Sequence, residues 1–483
     1  MKIMKKNIIA ALSLISIAAT SSALTLEEAK ALYSKGDYTS ALPAFQELYA
    51  KNPKNAKNAS INHWLGVCLY KTGHHQESRK YFEYAVSRSV AESYLYMSKL
   101  EFESYNFDEA QSYVDSYSQS LSKQKKELSD DVRRYMAQTR AAKSMIEHVE
   151  KIAIIDSIVV DKADFFKHYK ISPSIGSFTT SECLPYSKPT DPTFVFATEN
   201  SEKLMWVQND STDVSRLYET THLIDGTWES YSKADDILNN NGEMAYPFMM
   251  PDGATLYYAC NGDGSIGGYD IYMSRKNLDD GSYFQPQNIG MPYNSPFDDY
   301  LLVIDENTGV GWWATDRNQI PDKLTIYLFI PNEVRENYDS DDENLRSYAK
   351  INSIKDTWAE GADYAEYFEK LETIGSENKK EKKDFIFEVR KGIIYTSFDD
   401  AKTSEGRQYL EQYVSTKKNY NSSVEELKGL RGDYAKAKSD NAKRAQLKNR
   451  IISAEKSLLK KDDELKYLKN AVIKSESRKL NLK

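Results

Sequence analysis

Cysteine is nearly missing from this chain, and that scarcity excludes a disulfide-built fold. Three cysteines in 483 residues are too few to frame a domain. Cys68 falls inside a helical pattern and reads as a small core residue. Cys183 and Cys260 could pair in an oxidising compartment, but nothing in the sequence sets their separation. Also missing are a GxSxG nucleophile elbow and a glycine loop that would cradle phosphate. The adjacent pair His74-His75 points in two directions from one helical turn, whereas helical metal ligands need i, i+4 spacing. Beyond residue 24 no apolar run approaches the ~20 residues of a membrane crossing. The reading therefore assigns no catalytic residue, no metal and no cofactor.

What is present starts with an address. Lys2, Lys5 and Lys6 precede an apolar run from Ile8 to Ala19, and Ser21-Ser22-Ala23 supplies small residues for cleavage. This pattern fits a secretory signal over residues 1–23. No cysteine follows the run, so a lipoprotein anchor is not expected. Tyrosine is abundant, 35 against 6 tryptophans, as suits half-buried strands and wet interfaces. The net charge of −8 conceals an asymmetry. Residues 404–483 carry 20 Lys and Arg against 11 Asp and Glu, a net +9, while residues 24–403 hold a net −20. A basic tail on an acidic body suits folding back or an acidic partner. Its charges alternate in sign along helices, so nucleic acid is not the expected ligand.

Residues 24–150 read as helix pairs with a capping helix. Leu32, Gly36, Tyr38, Ala41, Phe45, Leu48 and Pro53 stand in one unit, and Leu65, Gly66, Gly73, Ser78, Phe82 and Ala85 in the next. Phe107, Ala110, Val114 and Tyr117 form a third, in which Tyr105 replaces the turn glycine. The pattern resembles the tetratricopeptide repeat, whose unit is 34 residues. Such stacks present a groove to extended peptides. In this register Lys30, Tyr33, His63, Tyr70, Lys99 and Phe102 would line it, with lysines that favour acidic character in the peptide. The alternative is that three repeats only brace the next domain.

A second repeat has a spacing near 54. Leu217-Tyr218, Ile271-Tyr272 and Ile326-Tyr327 lie 54 and 55 residues apart, and Tyr246 answers to Tyr300. Tyr257-Tyr258 and Trp312-Trp313 each lie 14 residues before their isoleucine. Pro251-Asp252-Gly253 is a turn signal before an alternating strand, and Gly268-Tyr269-Asp270 opens the next one. With Gly226-Thr227-Trp228 and 239–241, these residues resemble the TolB-type, WD-like propeller repeats of exported Bacteroidetes proteins that join tetratricopeptide repeats to a β-propeller. That resemblance makes Pro251, Asp252, Gly253, Gly268, Tyr269 and Asp270 structural blade residues. Dividing residues 151–403 by the period implies four or five blades. Missing strands are sought in Ile152–Val160, expected to pair across a closure seam, and in Phe385–Thr396. An acidic stretch over about 332–384 reads as an insertion or poorly ordered loop.

From 404 to 478 a 3–4 alternation of apolar residues reads as a coiled-coil hairpin, with Asp440 as N-cap of its second arm. The expected architecture is multidomain α + β: an N-terminal α-solenoid, a central β-propeller and a C-terminal antiparallel helical hairpin. The expected function is a non-enzymatic periplasmic or envelope scaffold, accessory to an envelope assembly or secretion system and peripheral to the outer membrane. It would hold protein partners by groove, propeller face or hairpin. The alternative is a glycan-binding or hydrolytic propeller that uses its central mouth.

Overall fold

The structure is a computed structural model and describes residues 25–185, 193–223, 227–238, 242–277, 279–380, 385, 387–390, 393–395, 397–437 and 441–477. The segment read as a signal, the turn at 239–241, Gly226 and the Asp440 cap lie outside the described residues. The chain divides into two compact units, one ending at Ile374 and one beginning at Gly375.

The first unit opens with helices α1 (Leu26–Ser34), α2 (Tyr38–Lys51), a short α3 (Pro53–Ala56), α4 (Ala59–Lys71), α5 (His75–Ser87), α6 (Ala91–Glu103), α7 (Phe107–Lys123) and α8 (Asp130–Ile146). Local chemistry sets their starts. Thr25 and Glu28 close a capping box on α1, and Asp37, Asn58 and Ser129 accept N–H bonds from the first turns of α2, α4 and α8, satisfying donors that a helix start leaves open. Between the helices of each pair the chain turns with positive φ, at Gly36 (+78°), Gly73 (+83°) and Tyr105 (+60°). Small residues then let the pairs close. Ala41, Ser78 and Ala110 are fully buried, as are Phe45, Phe82 and Val114. A Cβ on Gly66 would stand 2.8 Å from the Phe82 ring.

Strands follow: β1 (Ala153–Asp161), β2 (Ser177–Thr180), β3 (Phe194–Ala197), β4 (Lys203–Asn209), β5 (Ser215–Thr221), β6 (Ser232–Lys233), β7 (Met244–Met249), β8 (Thr255–Cys260), β9 (Asp270–Arg275), β10 (Gln287–Asn288), β11 (Asp299–Asp305), β12 (Val310–Thr315) and β13 (Lys323–Ile330). They build three antiparallel sheets, ordered β2-β3-β4-β5-β6, β10-β9-β8-β7 and β1-β13-β12-β11. The sequence repeat near 54 lands on equivalent strands: Leu217-Tyr218 on β5, Ile271-Tyr272 on β9 and Ile326-Tyr327 on β13. Tyr257-Tyr258 and Trp312-Trp313 occupy the preceding strands β8 and β12. Both β7 and β11 carry a register irregularity, between Ala245 and Phe248 and between Tyr300 and Val303, where Tyr246 and Leu301 take positive φ. Bulges of this kind re-aim side chains, and Tyr246 meets the Tyr300 ring at 5.5 Å.

Three sheets stand among the described residues of this unit, where the period had implied four or five. The early strand β1 lies antiparallel to β13, from Ala153 opposite Ile330 to Asp161 opposite Lys323. Its sheet is thus completed by a strand that precedes the other three by more than a hundred residues. The space between the sheets is filled by Phe165, Phe196, Phe248, Tyr258, Trp312 and their neighbours.

Within the acidic stretch, the part from Glu336 to Trp358 is bound into this unit. Lys151 N–H donates to the Glu336 carbonyl at 2.7 Å and Tyr338 N–H to that of Val149 at 3.0 Å. Helix α9 (Leu345–Lys350) buries Leu345 and Ala349 beside Phe102, Phe107 and Ala142. Ile154 N–H donates to Thr357 Oγ1, and its carbonyl accepts from Trp358 Nε1. Apolar residues spaced among many carboxylates strap the segment to β1. Helix α10 (Ala365–Lys380) then adds Leu371 and Ile374 to the core between the sheets.

The second unit contains β14 (Phe387–Arg390), β15 (Ile393–Tyr395), α11 (Ser404–Lys436) and α12 (Asn441–Ser477). Among the described residues the strands expected to complete the sheets pair with each other. Phe387, Val389 and Tyr395 pack against Leu410 and Val472 of the long helices, because an alternating strand has an apolar face but carries no label for what covers it. The Glu476 carboxylate, at the end of α12, accepts from Lys402 N–H at 2.7 Å, Thr403 N–H at 3.0 Å, Thr403 Oγ1 at 2.7 Å and Tyr395 Oη. This ties the far end of the hairpin to the start of α11. Burial works against ionisation of Glu476, but these donors outweigh it and hold the carboxyl below its usual range.

Candidate functional site

The face carried by α1, α4 and α6 is a band of half-buried tyrosines with lysines laid across it. Tyr33 packs edge-on to Tyr38 and Phe45, at 5.6 and 6.3 Å between centroids. Tyr70 meets Tyr96 at 5.3 Å, and Tyr96 stacks on Phe82 at 5.0 Å. Lys30 Nζ lies 5.2 Å from the Trp64 ring centre. Lys99 Nζ lies between Tyr96 and Tyr135, at 5.6 and 5.9 Å. Ammonium groups over aromatic faces gain electrostatically, more so as water is removed. Burial pushes the Lys99 ammonium below its usual pKa, with Lys71 adding to the depression and Glu103 and Asp131 opposing it. Burial also pushes the Tyr96 hydroxyl up to about 12.

Tyr70 stacks flat on His75 at 4.3 Å. Glu103 holds both, accepting from Tyr70 Oη and facing His75 Nδ1 at 2.8 Å. The Glu103 hydrogen bond raises the His75 pKa. The His74-His75 pair is thus divided between a carboxylate and the turn, where Thr72 Oγ1 meets His74 Nδ1 at 3.1 Å. Among the described residues no cluster of three or more His, Cys, Asp or Glu could hold a metal.

The residues anticipated for a groove separate into two groups. Lys30 and Tyr33 gather around Trp64, and Tyr70 and Lys99 gather around Tyr96, all partly accessible. His63 and Phe102 are buried, at 8 % and 5 % exposure, with His63 reaching the Tyr96 ring from beneath at 6.1 Å. His63 Nδ1 meets Ser93 Oγ at 2.8 Å, and burial depresses its pKa to about 4. Phe102 packs with Phe107 and Tyr135 in a cluster that also holds Ile266, Met291 and Leu345. Phe102 thus joins the repeats to the sheets, while the tyrosine–lysine face stays partly accessible. The third helix pair and α8 join the sheets, α8 through Gln138 Nε2, which donates to the Gly267 carbonyl at 2.9 Å, while the outward residues of α1, α4 and α6 keep the aromatic face. Tyr96, the centre of that face, was not anticipated. Its signal was its place three residues before Lys99, one helical turn along the same face.

The motif residues of the sheets serve turns and loops. Gly253, after Pro251, has φ +67°, and Asp252 accepts from Ala254 N–H, Thr255 N–H and Thr255 Oγ1. A Cβ on Gly268 would fall 2.0 Å from Asp298 Oδ1, which accepts from Tyr269 N–H at 2.9 Å. Tyr269 Oη donates to Glu243 at 2.8 Å. Asp270 is fully buried and accepts from Ile266 N–H, Gly267 N–H and Asn288 Nδ2 at 2.9, 3.1 and 2.7 Å. Arg317 buries its guanidinium against Asp299 at 3.1 Å and donates to the Pro292 and Tyr293 carbonyls. Cys260 is buried and Cys183 exposed.

A tetratricopeptide-repeat family model matches residues 26–93, the stretch from α1 into α6. The tetratricopeptide repeat is a protein-interaction module, so the helical region points to protein partners. No curated protein matches the chain. Among the described residues no helix is long and apolar enough to cross a membrane.

Proposed function

We propose that this protein is a non-enzymatic scaffold of the cell envelope that captures an extended protein segment on the tyrosine–lysine face of its helical repeats. The observation that carries the reading is the half-buried set Tyr33, Tyr70 and Tyr96 with Lys30 and Lys99 laid over aromatic rings. Aromatic anchors of this kind supply contact area at low entropic cost, and lysines beside them favour a segment with acidic side chains. The three sheets are read as blades of a WD-like, TolB-type propeller whose interior is packed with side chains. That packing supports a rigid platform over a central ligand mouth. Export rests on the residues read as a signal, and a role beside an envelope assembly or secretion system rests on the family resemblance.

Envelope fractions cross-linked in cells to wild type and to Tyr96→Ala/Lys99→Glu test the reading. A partner retained by wild type and by a Phe284→Ala surface control, but lost from the double variant, supports it. An identical captured set from wild type and the double variant overturns it.

A further inference from the structure

The hairpin of the second unit has a second seam, on the side of α12 turned away from α11. Leu459 is 67 % exposed, Tyr467 64 % and Ile452 40 %. With 100° per residue these three fall within about 80° of one another, roughly opposite the buried Leu447, Leu465 and Leu468. A large apolar side chain at two-thirds exposure has no role in holding its own hairpin together.

The order of residues along this face is palindromic. Ile452 and Tyr467 are equally distant from the Leu459–Lys460 bond, and so are Lys456 and Asp463. Asn449 and Asn470 repeat the relation one turn further out. All are exposed. If a second α12 lies antiparallel on the first, with its two-fold axis at that bond, the two Leu459 residues flank the axis one residue rise (~1.5 Å) apart, each in register with Lys460 of the other helix, and Ile452 meets Tyr467. Lys456 then meets Asp463, and Asn449 meets Asn470. Away from the axis each of these pairs is apolar with apolar, opposite in charge, or amide with amide. A two-fold interface requires this self-complementarity, in which residue i contacts j and j contacts i. Among the described residues Lys456 and Asp463 make no ion pair within their own hairpin, whereas Glu455 is held by Arg431 and Asp462 by Lys466.

We propose that the protein forms a two-fold dimer through the outer face of α12, two hairpins pairing antiparallel into a four-helix arrangement centred on Leu459. The occupant is a second copy because the charge order fits the reversed helix itself. An acidic partner helix would face Asp463 as well as Lys456.

Sedimentation equilibrium of the full chain tests this. Wild type should dimerise in the micromolar range, and Leu459→Glu should weaken the dimer by roughly tenfold or more with unchanged helix content. Lys456→Asp alone should weaken it as well, because like charges then meet twice. Lys456→Asp/Asp463→Lys should restore it, since the exchange swaps both ends of the same pair. A wild-type monomer at high concentration, a Leu459→Glu protein that dimerises as before, or a double exchange that fails to recover would each overturn the proposal.

Discussion

Replacing Asp270 with alanine leaves three donors facing no acceptor: the Ile266 and Gly267 N–H groups and Asn288 Nδ2. A buried donor left unsatisfied costs about 1–3 kcal/mol. The three share one site and relax together, so their costs do not simply add, and about 3–5 kcal/mol is expected. At about 2–4 °C per kcal/mol for a domain of this size, the transition of the first unit should fall by roughly 10 °C. Asparagine keeps the shape and one acceptor and should cost only about 1–2 kcal/mol. The two variants also differ from wild type in pH dependence. Burial pushes the Asp270 carboxyl from 3.8 up to about 8, so the folded protein holds this proton more tightly than the unfolded chain does. The contribution is therefore full below the unfolded value and declines as pH rises from about 4 to about 8. Calorimetry at pH 5 and pH 8 measures both effects. Asp270→Asn should flatten the decline seen in wild type. An Asp270→Ala protein with the wild-type melting temperature, or an asparagine variant with wild-type pH dependence, would refute the reasoning.

His63 runs in the opposite sense. Its folded pKa of about 4 lies below the usual 6.5, so its contribution is present above pH 6.5 and lost as pH falls towards 4. Denaturant midpoints for wild type and His63→Asn should diverge by about 2–3 kcal/mol between pH 7 and pH 4.5, and parallel curves would contradict its burial as a neutral ring. In the second unit, Glu476→Ala should destabilise the hairpin by about 3 kcal/mol by stranding the Lys402 and Thr403 donors and Tyr395 Oη; an unchanged helix-melting curve for residues 375–483 would rule out the tie. A fragment beginning at 375 should also melt higher than one beginning at 404, which lacks the Phe387, Val389 and Tyr395 cover over Leu410 and Val472. Equal melting of the two would remove β14 and β15 from that core.

Much of the architecture was legible because it follows local periodicity. Small residues at 41, 78 and 110 predict close helix pairs, and the Leu-Tyr and Ile-Tyr pairs about 54 residues apart predict equivalent strands; both repeats are read along the chain without knowing which distant elements touch. The third turn was harder to read, because Tyr105 takes the positive φ that glycine takes in the other two, a conformation that costs a bulky residue energy and that its buried surroundings maintain. His63 and Phe102 share the helical spacing of Tyr70 and Lys99, and spacing alone does not distinguish a groove from an interface with a second domain. The residues of α9 and the sheet edge that cover Phe102 lie more than 150 positions away in the chain.

The sequence by itself determined that there would be helix pairs at the front, antiparallel strands in the middle and a long hairpin at the end, since each follows from a repeat of 3.6, 2 or 3.5 residues. Tertiary structure alone decided which strand completes which sheet. β1 and the Phe385–Thr396 segment alternate alike in sequence; β1 lies along β13, whereas Phe387, Val389 and Tyr395 of β14 and β15 pack with Leu410 of α11 and Val472 of α12. The same holds for the acidic stretch, whose carboxylates dominate its composition while a few apolar residues fix its course over β1. An alternating pattern specifies that a face must be buried, and only the arrangement of distant elements in space supplies the surface that buries it.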